Sequence, residues 1–191
     1  MRTIINNKEN EIIIDKSSFI CCTYKINSIN DVPYYLDLIK EKYTGATHYC
    51  YAYICDSYKK CSDDKEPSGT AGLPILNVIE KNELNNVLVV VVRYFGGIKL
   101  GAGGLVRAYT NSVVECIKDN ITSIKKGLIL ELRFTYDKVK TIDNIFKDKI
   151  IDKYFDEEIT YIIKISYDEY ELIKDKLINL NVKVLDENII I

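Results

Sequence analysis

Between Arg93 and Asn111 the chain reads RYFGGIKLGAGGLVRAYTN, with five glycines in the nine positions from Gly96 to Gly104. Glycine takes positive φ freely and lets a ligand or another backbone come close. The segment lies between a continuous apolar run and a stretch with helical apolar spacing. The free N–H groups of a helix starting there would point back at it, a ready place for an anion. Arg93, Lys99 and Arg107 are the only charged residues from Arg93 to Val114, and all are positive. The candidate binding residues are therefore Arg93, Gly96, Gly97, Lys99, Gly101, Gly103, Gly104 and Arg107, for a phosphate, a carboxylate or an acidic partner surface. The segment lacks the Gly-Lys-Ser/Thr ending of a P-loop and does not fit G-x-G-x-x-G. A tight strand-to-helix turn with close packing is the other reading of the same glycines.

A second candidate is the acidic stretch Ser62, Asp63, Asp64, Lys65, Glu66, Pro67, Ser68, Gly69, Thr70. Three carboxylates within four positions could hold a hard cation such as Mg²⁺, or supply an acid and a base. Helix capping is the stronger reading, because Ser, Asp and Thr stand just ahead of an apolar helical pattern. His48 is the single histidine and opens a strand, so a structural role outweighs a catalytic one. Ser68 sits in no G-x-S-x-G elbow, which removes support for a serine-hydrolase triad. Tyr49, Tyr51 and Tyr53 share one face at period two. They could stack bases as strand aromatics do in RNA-binding sheets, but a half-buried strand explains them as well.

The elements that would position these residues follow from the patterning. Residues 12–26 read as extended, rich in β-branched and aromatic side chains. Asn30 or Asp31 is placed to cap a helix with Pro33 in its first turn, running to about Tyr43 and closed by Gly45. Residues 48–55 form a strand, 56–68 a polar loop and 71–80 a helix. Residues 86–93 are a continuous apolar run, the mark of a central strand covered on both faces. Leu105, Ala108, Tyr109, Ser112 and Val113 recur at helical spacing through residues 105–119.

The character changes after Thr122. Residues 127–136 alternate as a strand with Leu128, Leu130, Leu132 and Phe134 on one face. A helix over 137–150 buries Val139, Ile142, Ile145 and Phe146. Short strands near 150–155 and 158–166, a helix over 168–180 and a last strand over 182–191 complete a β-α-β-β-α-β order, the ferredoxin-like arrangement. The expected class is α+β with two domains, 1–123 and 124–191. The Ile-rich end of the last strand would be exposed if it lies on a sheet edge, where it could pair with another protein.

Bulk properties exclude several classes. Net charge is −2, with 14 Lys+Arg against 14 Asp+Glu in residues 1–120 and 12 against 14 in 121–191. Neither half is a basic domain, so non-specific nucleic-acid binding by charge alone is not expected. Cys21, Cys22, Cys50, Cys55, Cys61 and Cys116 form no C-x-x-C pair and have one histidine among them, which argues against zinc and for free thiols. The N-terminus has no signal-peptide core. The longest apolar run, residues 87–92, is far short of the ~20 residues of a membrane span. The expected location is the cytoplasm, away from membranes, and no cofactor is expected.

Three long motifs resemble the YigZ/IMPACT family. They are His48-Tyr49-Cys50-Tyr51-Ala52-Tyr53; Ser62-Asp63-Asp64 with Glu66-Pro67-Ser68-Gly69-Thr70-Ala71-Gly72 and Pro74-Ile75-Leu76; and the run from Val91 to Tyr109. The resemblance covers residues 15–120 and departs at Lys65, where the family usually has glycine. It implies an N-terminal β-α-β domain of the type shared with a ribosomal protein and with GHMP-type kinases. It also implies a C-terminal domain similar to the fifth domain of elongation factor G. Eukaryotic relatives regulate translation under amino-acid stress, so the expected function is a translation-linked protein contacting the ribosome, RNA or a translation-associated protein through the glycine-rich segment. Binding is favoured over catalysis. The alternative is a phosphate- or nucleotide-binding enzyme with Mg²⁺ on Asp63, Asp64 and Glu66.

Overall fold

A computed structural model describes residues 1–178 and 180–191, without the side chains of Asn188 and Ile190. The chain divides into two compact units, Met1–Ser123 and Ile124–Ile191, in a mixed α/β fold.

In the first unit, β1 (Arg2–Ile4) precedes the hairpin of β2 (Lys8–Ile14) and β3 (Ser17–Lys25). The turn between the hairpin strands is Asp15-Lys16, with φ of 46° and 63°, the left-handed pair that matches strand twist in a tight hairpin. Helix α1 (Asp31–Lys42) starts where the Pro33 signal placed it, but Asn30 makes no side-chain cap bond. Instead the Asp31 carboxylate accepts from the backbone N–H groups of Asn27 and Ser28 at 2.8 and 3.0 Å, fastening the incoming turn.

Next come β4 (His48–Cys55), β5 (Tyr58–Ser62) and α2 (Gly72–Lys81). Strand β5 corrects the expectation of a loop across 56–68. It is an edge strand with Tyr58, Lys59 and Lys60 exposed, so it has no apolar stripe to announce it. Then β6 (Val87–Tyr94), α3 (Gly101–Ile117) and β7 (Ile121–Ser123) follow, with β7 pairing antiparallel to β1. Helix α3 begins at Gly101, one turn earlier than the apolar spacing indicates, because its first turn is glycine-rich and carries no apolar signal.

The five-stranded sheet has the order β2-β3-β6-β4-β5, and every pairing is antiparallel. One face packs Phe19, Cys21, Val89 and Val91 against Ile75 and Ile79 of α2 and Ala108, Tyr109 and Val113 of α3. The other packs Cys22, Leu88, Val90 and Val92 against Val32 and Ile39 of α1, with Tyr49, Tyr51 and Tyr53 half-buried beside them. Central β6 is therefore covered on both faces, which is why it is apolar without alternation. The cysteines are free thiols, all buried except half-buried Cys61.

In the second unit the elements are β8 (Lys126–Phe134), α4 (Val139–Phe146), β9 (Ile150–Phe155), β10 (Ile159–Ser166), α5 (Tyr167–Ile173) and β11 (Asn181–Ile190). Their sheet order is β11-β8-β10-β9. Leu128, Leu130, Leu132 and Phe134 of β8 are buried together with Ile142 and Phe146 of α4 and Ile159, Tyr161, Ile163 and Ile165 of β10. Both helices are shorter than their patterns. The span 137–150 opens with a 3-10 turn at Tyr136–Lys138 and stays helical only to Phe146. Helix α5 starts at a Ser166/Glu169 capping box and gives way to a 3-10 turn at Lys174–Leu177. Asn179, inside the expected span 168–180, lies outside the described residues. Strand β11 is an edge strand with Val184 and Leu185 exposed. No helix among the described residues is long and apolar enough to cross a membrane.

Candidate functional site

Arg93 is the one charged residue of β6, near its C-terminal end, and is only 4% exposed. A buried guanidinium is costly unless paired and hydrogen-bonded. Here Nη1 donates to Glu66 Oε1 at 2.6 Å and Nη2 to Ser17 Oγ at 3.4 Å. The guanidinium carbon lies 5.2 Å from the Phe19 ring centroid and 5.4 Å from that of Phe95, within cation–π range of both. Arg93 is thus neutralised by Glu66 and is not a free charge at the surface.

Glu66 gathers further partners. Tyr109 of α3 donates its hydroxyl proton to Glu66 Oε1 at 2.9 Å, and His48 Nε2 lies 3.8 Å from the same oxygen. His48 Nδ1 is 2.7 Å from the Asp64 carbonyl oxygen. A carbonyl only accepts, so Nδ1 is the donor in this contact. Cys50 Sγ is 3.3 Å from the Tyr109 hydroxyl oxygen. Burial pushes the Cys50 thiol up to about 12 and raises the Tyr109 phenol far above its ordinary range. Neither is a nucleophile at neutral pH.

The acidic residues do not converge. The Asp63 carboxylate accepts from the backbone N–H groups of Gly69, Ala71 and Gly72 at 2.8, 3.0 and 2.8 Å, binding the loop to the start of α2. Burial would raise its pKa, but these three donors outweigh that and hold the carboxyl below its usual value. Asp64 Oδ2 accepts from Tyr49 N at 2.7 Å, and Ser62 Oγ from Asp64 N at 3.3 Å. Thr70 donates its hydroxyl proton to the Pro67 carbonyl at 2.6 Å, while Ser68 is exposed. Among the described residues no three His, Cys, Asp or Glu side chains are grouped to hold a metal ion.

The glycine-rich segment divides by role. A Cβ on Gly96 would stand 2.0 Å from the Lys16 carbonyl carbon and 2.4 Å from Ser17 N, so only glycine fits against the β2–β3 turn. Gly96 N also donates to Ser17 Oγ at 3.1 Å, and Phe95 N to Thr47 Oγ1 at 3.0 Å. Gly97 and Gly101 have φ of 86° and 68°. Gly103 faces open space apart from the Arg107 guanidinium, and Gly104 packs on Leu100. Leu100 supplies no side-chain cap to α3, whose first N–H groups are left without one. Lys99 and Arg107 are exposed, and of the two only Lys99 lines the pocket that follows.

Glu66 and Pro67 face Phe95, Lys99 and the first turn of α3 across a pocket of about 330 Å³, with Arg93 in its lining. Two stretches that look like separate candidates in sequence therefore share one cavity. Ser17 and Thr47 complete the network without any sequence signal, and Tyr109, legible only as part of the apolar stripe of α3, joins it through its hydroxyl; the three lie 76, 48 and 43 residues from their partners.

The Impact N-terminal domain family matches residues 15–117. The chain belongs to the IMPACT family. Among IMPACT-family relatives, YvyE of Bacillus subtilis is 38% identical over 173 residues, 88% of this chain and 78% of its own. The Haemophilus influenzae member is 34% identical over 173 residues, 86% and 84% of the two chains. A solved structure of a hypothetical protein covers 97% of each chain with a TM-score of 0.64 at 23% identity, a likeness of fold. Lys65, where the motif resemblance leads one to expect glycine, sits at φ 69°, next to Asp64 at 38°. A left-handed conformation costs an L-residue about 1–2 kcal/mol. Lys65→Gly is therefore expected to stabilise the first unit by about 1 kcal/mol. An unchanged or lowered urea midpoint would show that the lysine side chain compensates its backbone.

Proposed function

We propose that this IMPACT-family protein is a translation-linked regulatory protein that contacts RNA on the ribosome through the turn at Lys99 and the α3 N-terminus. The observation that carries the reading is the charge at that turn. Lys99 is exposed with no ion-pair partner among the described residues, and it stands beside an uncapped helix start whose dipole adds about half a positive charge. The family resemblance supports the same reading, because it implies eukaryotic members that regulate translation. The strand order of the second unit, β11-β8-β10-β9, suits a ferredoxin-like domain similar to the fifth domain of elongation factor G. Near-zero net charge fits a shape-specific contact with few phosphates. The alternative of an Mg²⁺-dependent enzyme is disfavoured, since Asp63, Asp64 and Glu66 each serve separate internal hydrogen bonds.

Co-sedimentation with ribosomes tests the proposal. Binding is expected at low salt, weaker at high salt, and lost in Lys99→Glu. Absence of binding at both salts, or equal binding by the variant, would overturn it.

A further inference from the structure

Near its C-terminal end, α3 sets Cys116 against Cys21 of β3, both of them fully buried in one core cluster. Cys116 Sγ lies 3.5 Å from the Cys21 carbonyl oxygen and 3.6 Å from that of Lys8, and the two thiols bear directly on each other. The other buried cysteines are differently placed. Cys22 and Cys55 pack on the opposite face of the sheet, and Cys50 is engaged by the Asp63 carbonyl and the Tyr109 hydroxyl.

Packing alone would be served by any two small apolar side chains, but this pair has two further features. Its thiols are unequal. Burial pushes the Cys21 thiol well up, whereas the Cys21 thiol, with the Thr23 hydroxyl and the Lys8 ammonium nearby, holds Cys116 below its ordinary value against burial and the Glu9 carboxylate. The thiolate is the reactive form of cysteine, so Cys116 is the attacking member and Cys21 the one that resolves. The second feature is the cover. Lys8 is the first residue of edge strand β2, and its ammonium donates to the Lys118 carbonyl at 3.1 Å. Strand ends at a sheet edge open most readily, while β3 is held on its other side by β6. Fraying at Lys8 admits a molecule as small as hydrogen peroxide to Cys116.

We propose that Cys21 and Cys116 form a redox-sensitive pair, which a peroxide converts to a disulfide fastening α3 to β3. The Cys116 thiolate attacks one oxygen of hydrogen peroxide, the O–O bond breaks, and a sulfenic acid and hydroxide result. The Cys21 sulfur then displaces the sulfenic hydroxyl. The S–S bond forms, and the hydroxyl leaves as water with the Cys21 proton. In sum, two thiols lose two electrons and two protons, and one peroxide becomes two waters. The bond spans 95 residues, and closing so long a loop constrains the unfolded chain. A dithiol reductant reverses the step.

The full chain, folded and without denaturant, is treated with hydrogen peroxide, its remaining thiols are capped, and its mass and unreduced peptide map are read. The expected result is the loss of two hydrogens, with the peptides of Cys21 and Cys116 joined. The urea midpoint is expected to rise on oxidation and to return with dithiothreitol. Cys116→Ser and, independently, Cys21→Ala are each expected to abolish the bond and the rise. Cys61→Ser, at the half-buried thiol, is expected to leave both intact. Capped thiols throughout, a bond between other cysteines, a bond that forms only in urea, or one that leaves the midpoint unchanged would each overturn the inference.

Discussion

Glu66→Ala is expected to destabilise the first unit by about 3–5 kcal/mol. The substitution leaves the Arg93 guanidinium buried without its counter-charge, and it removes the acceptor of the Tyr109 hydroxyl at the same time. Little water can reach Arg93, whose side chain lies under the Phe19 and Phe95 rings. Urea unfolding followed by circular dichroism would read the effect as a fall in midpoint. A loss below about 1 kcal/mol would mean that the guanidinium escapes to solvent, as surface ion pairs do. The double variant Glu66→Leu/Arg93→Met is expected to be more stable than Glu66→Ala, because replacing both charges with apolar side chains removes the desolvation term altogether. The pair holds Glu66 and Arg93 in place along the pocket wall.

Gly96→Ala is expected to destabilise by about 3 kcal/mol, at the upper end of the overpacking range. The added Cβ meets backbone atoms of Lys16 and Ser17, and no flexible side chain is available to give way. The β2–β3 turn must move, carrying Ser17 Oγ away from Gly96 N and from Arg93 Nη2. Gly103→Ala carries the opposite sign. Its Cβ would meet only the Arg107 guanidinium at 3.7 Å, and alanine is the better helix former by up to about 1 kcal/mol. Thermal unfolding of the two variants side by side would check both signs. Equal effects would show that glycine is interchangeable along this segment.

The contrast shows what the sequence carried and what it could not. A cluster of five glycines is visible at once, but their separate reasons lie in what stands opposite each one, and Lys16 is 80 positions away from Gly96. Strand β6 was legible because a strand buried on both faces must be apolar throughout. Arg93 within that run reads in sequence as one of three positive charges open to an anion, whereas the fold buries it against Glu66. The partner's identity was not readable, because an ion pair across 27 residues leaves no periodic mark. Strand β5 was missed for the opposite reason: an edge strand with exposed lysines satisfies half its backbone groups by pairing and the rest with water, so its side chains are free to be polar. Helix α3 was seen from its apolar stripe, but its start at Gly101 was not, because a helix end is fixed by backbone geometry more than by side-chain type.

The place of β6 in the sheet also sets an order in time. Hairpins β2–β3 and β4–β5 each close on a two-residue turn, Asp15-Lys16 and Asp56-Ser57, whereas β6 must join β3 across a separation of 76 residues at Tyr94 and Ser18. Loop-closure entropy rises with that length, so the long-range pairing is the slow part of assembly. Strand β6 also leads directly into Phe95, Lys99 and α3, and so brings most of the pocket wall with it. A chain emerging N-terminus first could form both hairpins and still have no site, because Glu66 has no guanidinium to meet until β6 is inserted. The pocket comes into being at the step that completes the sheet.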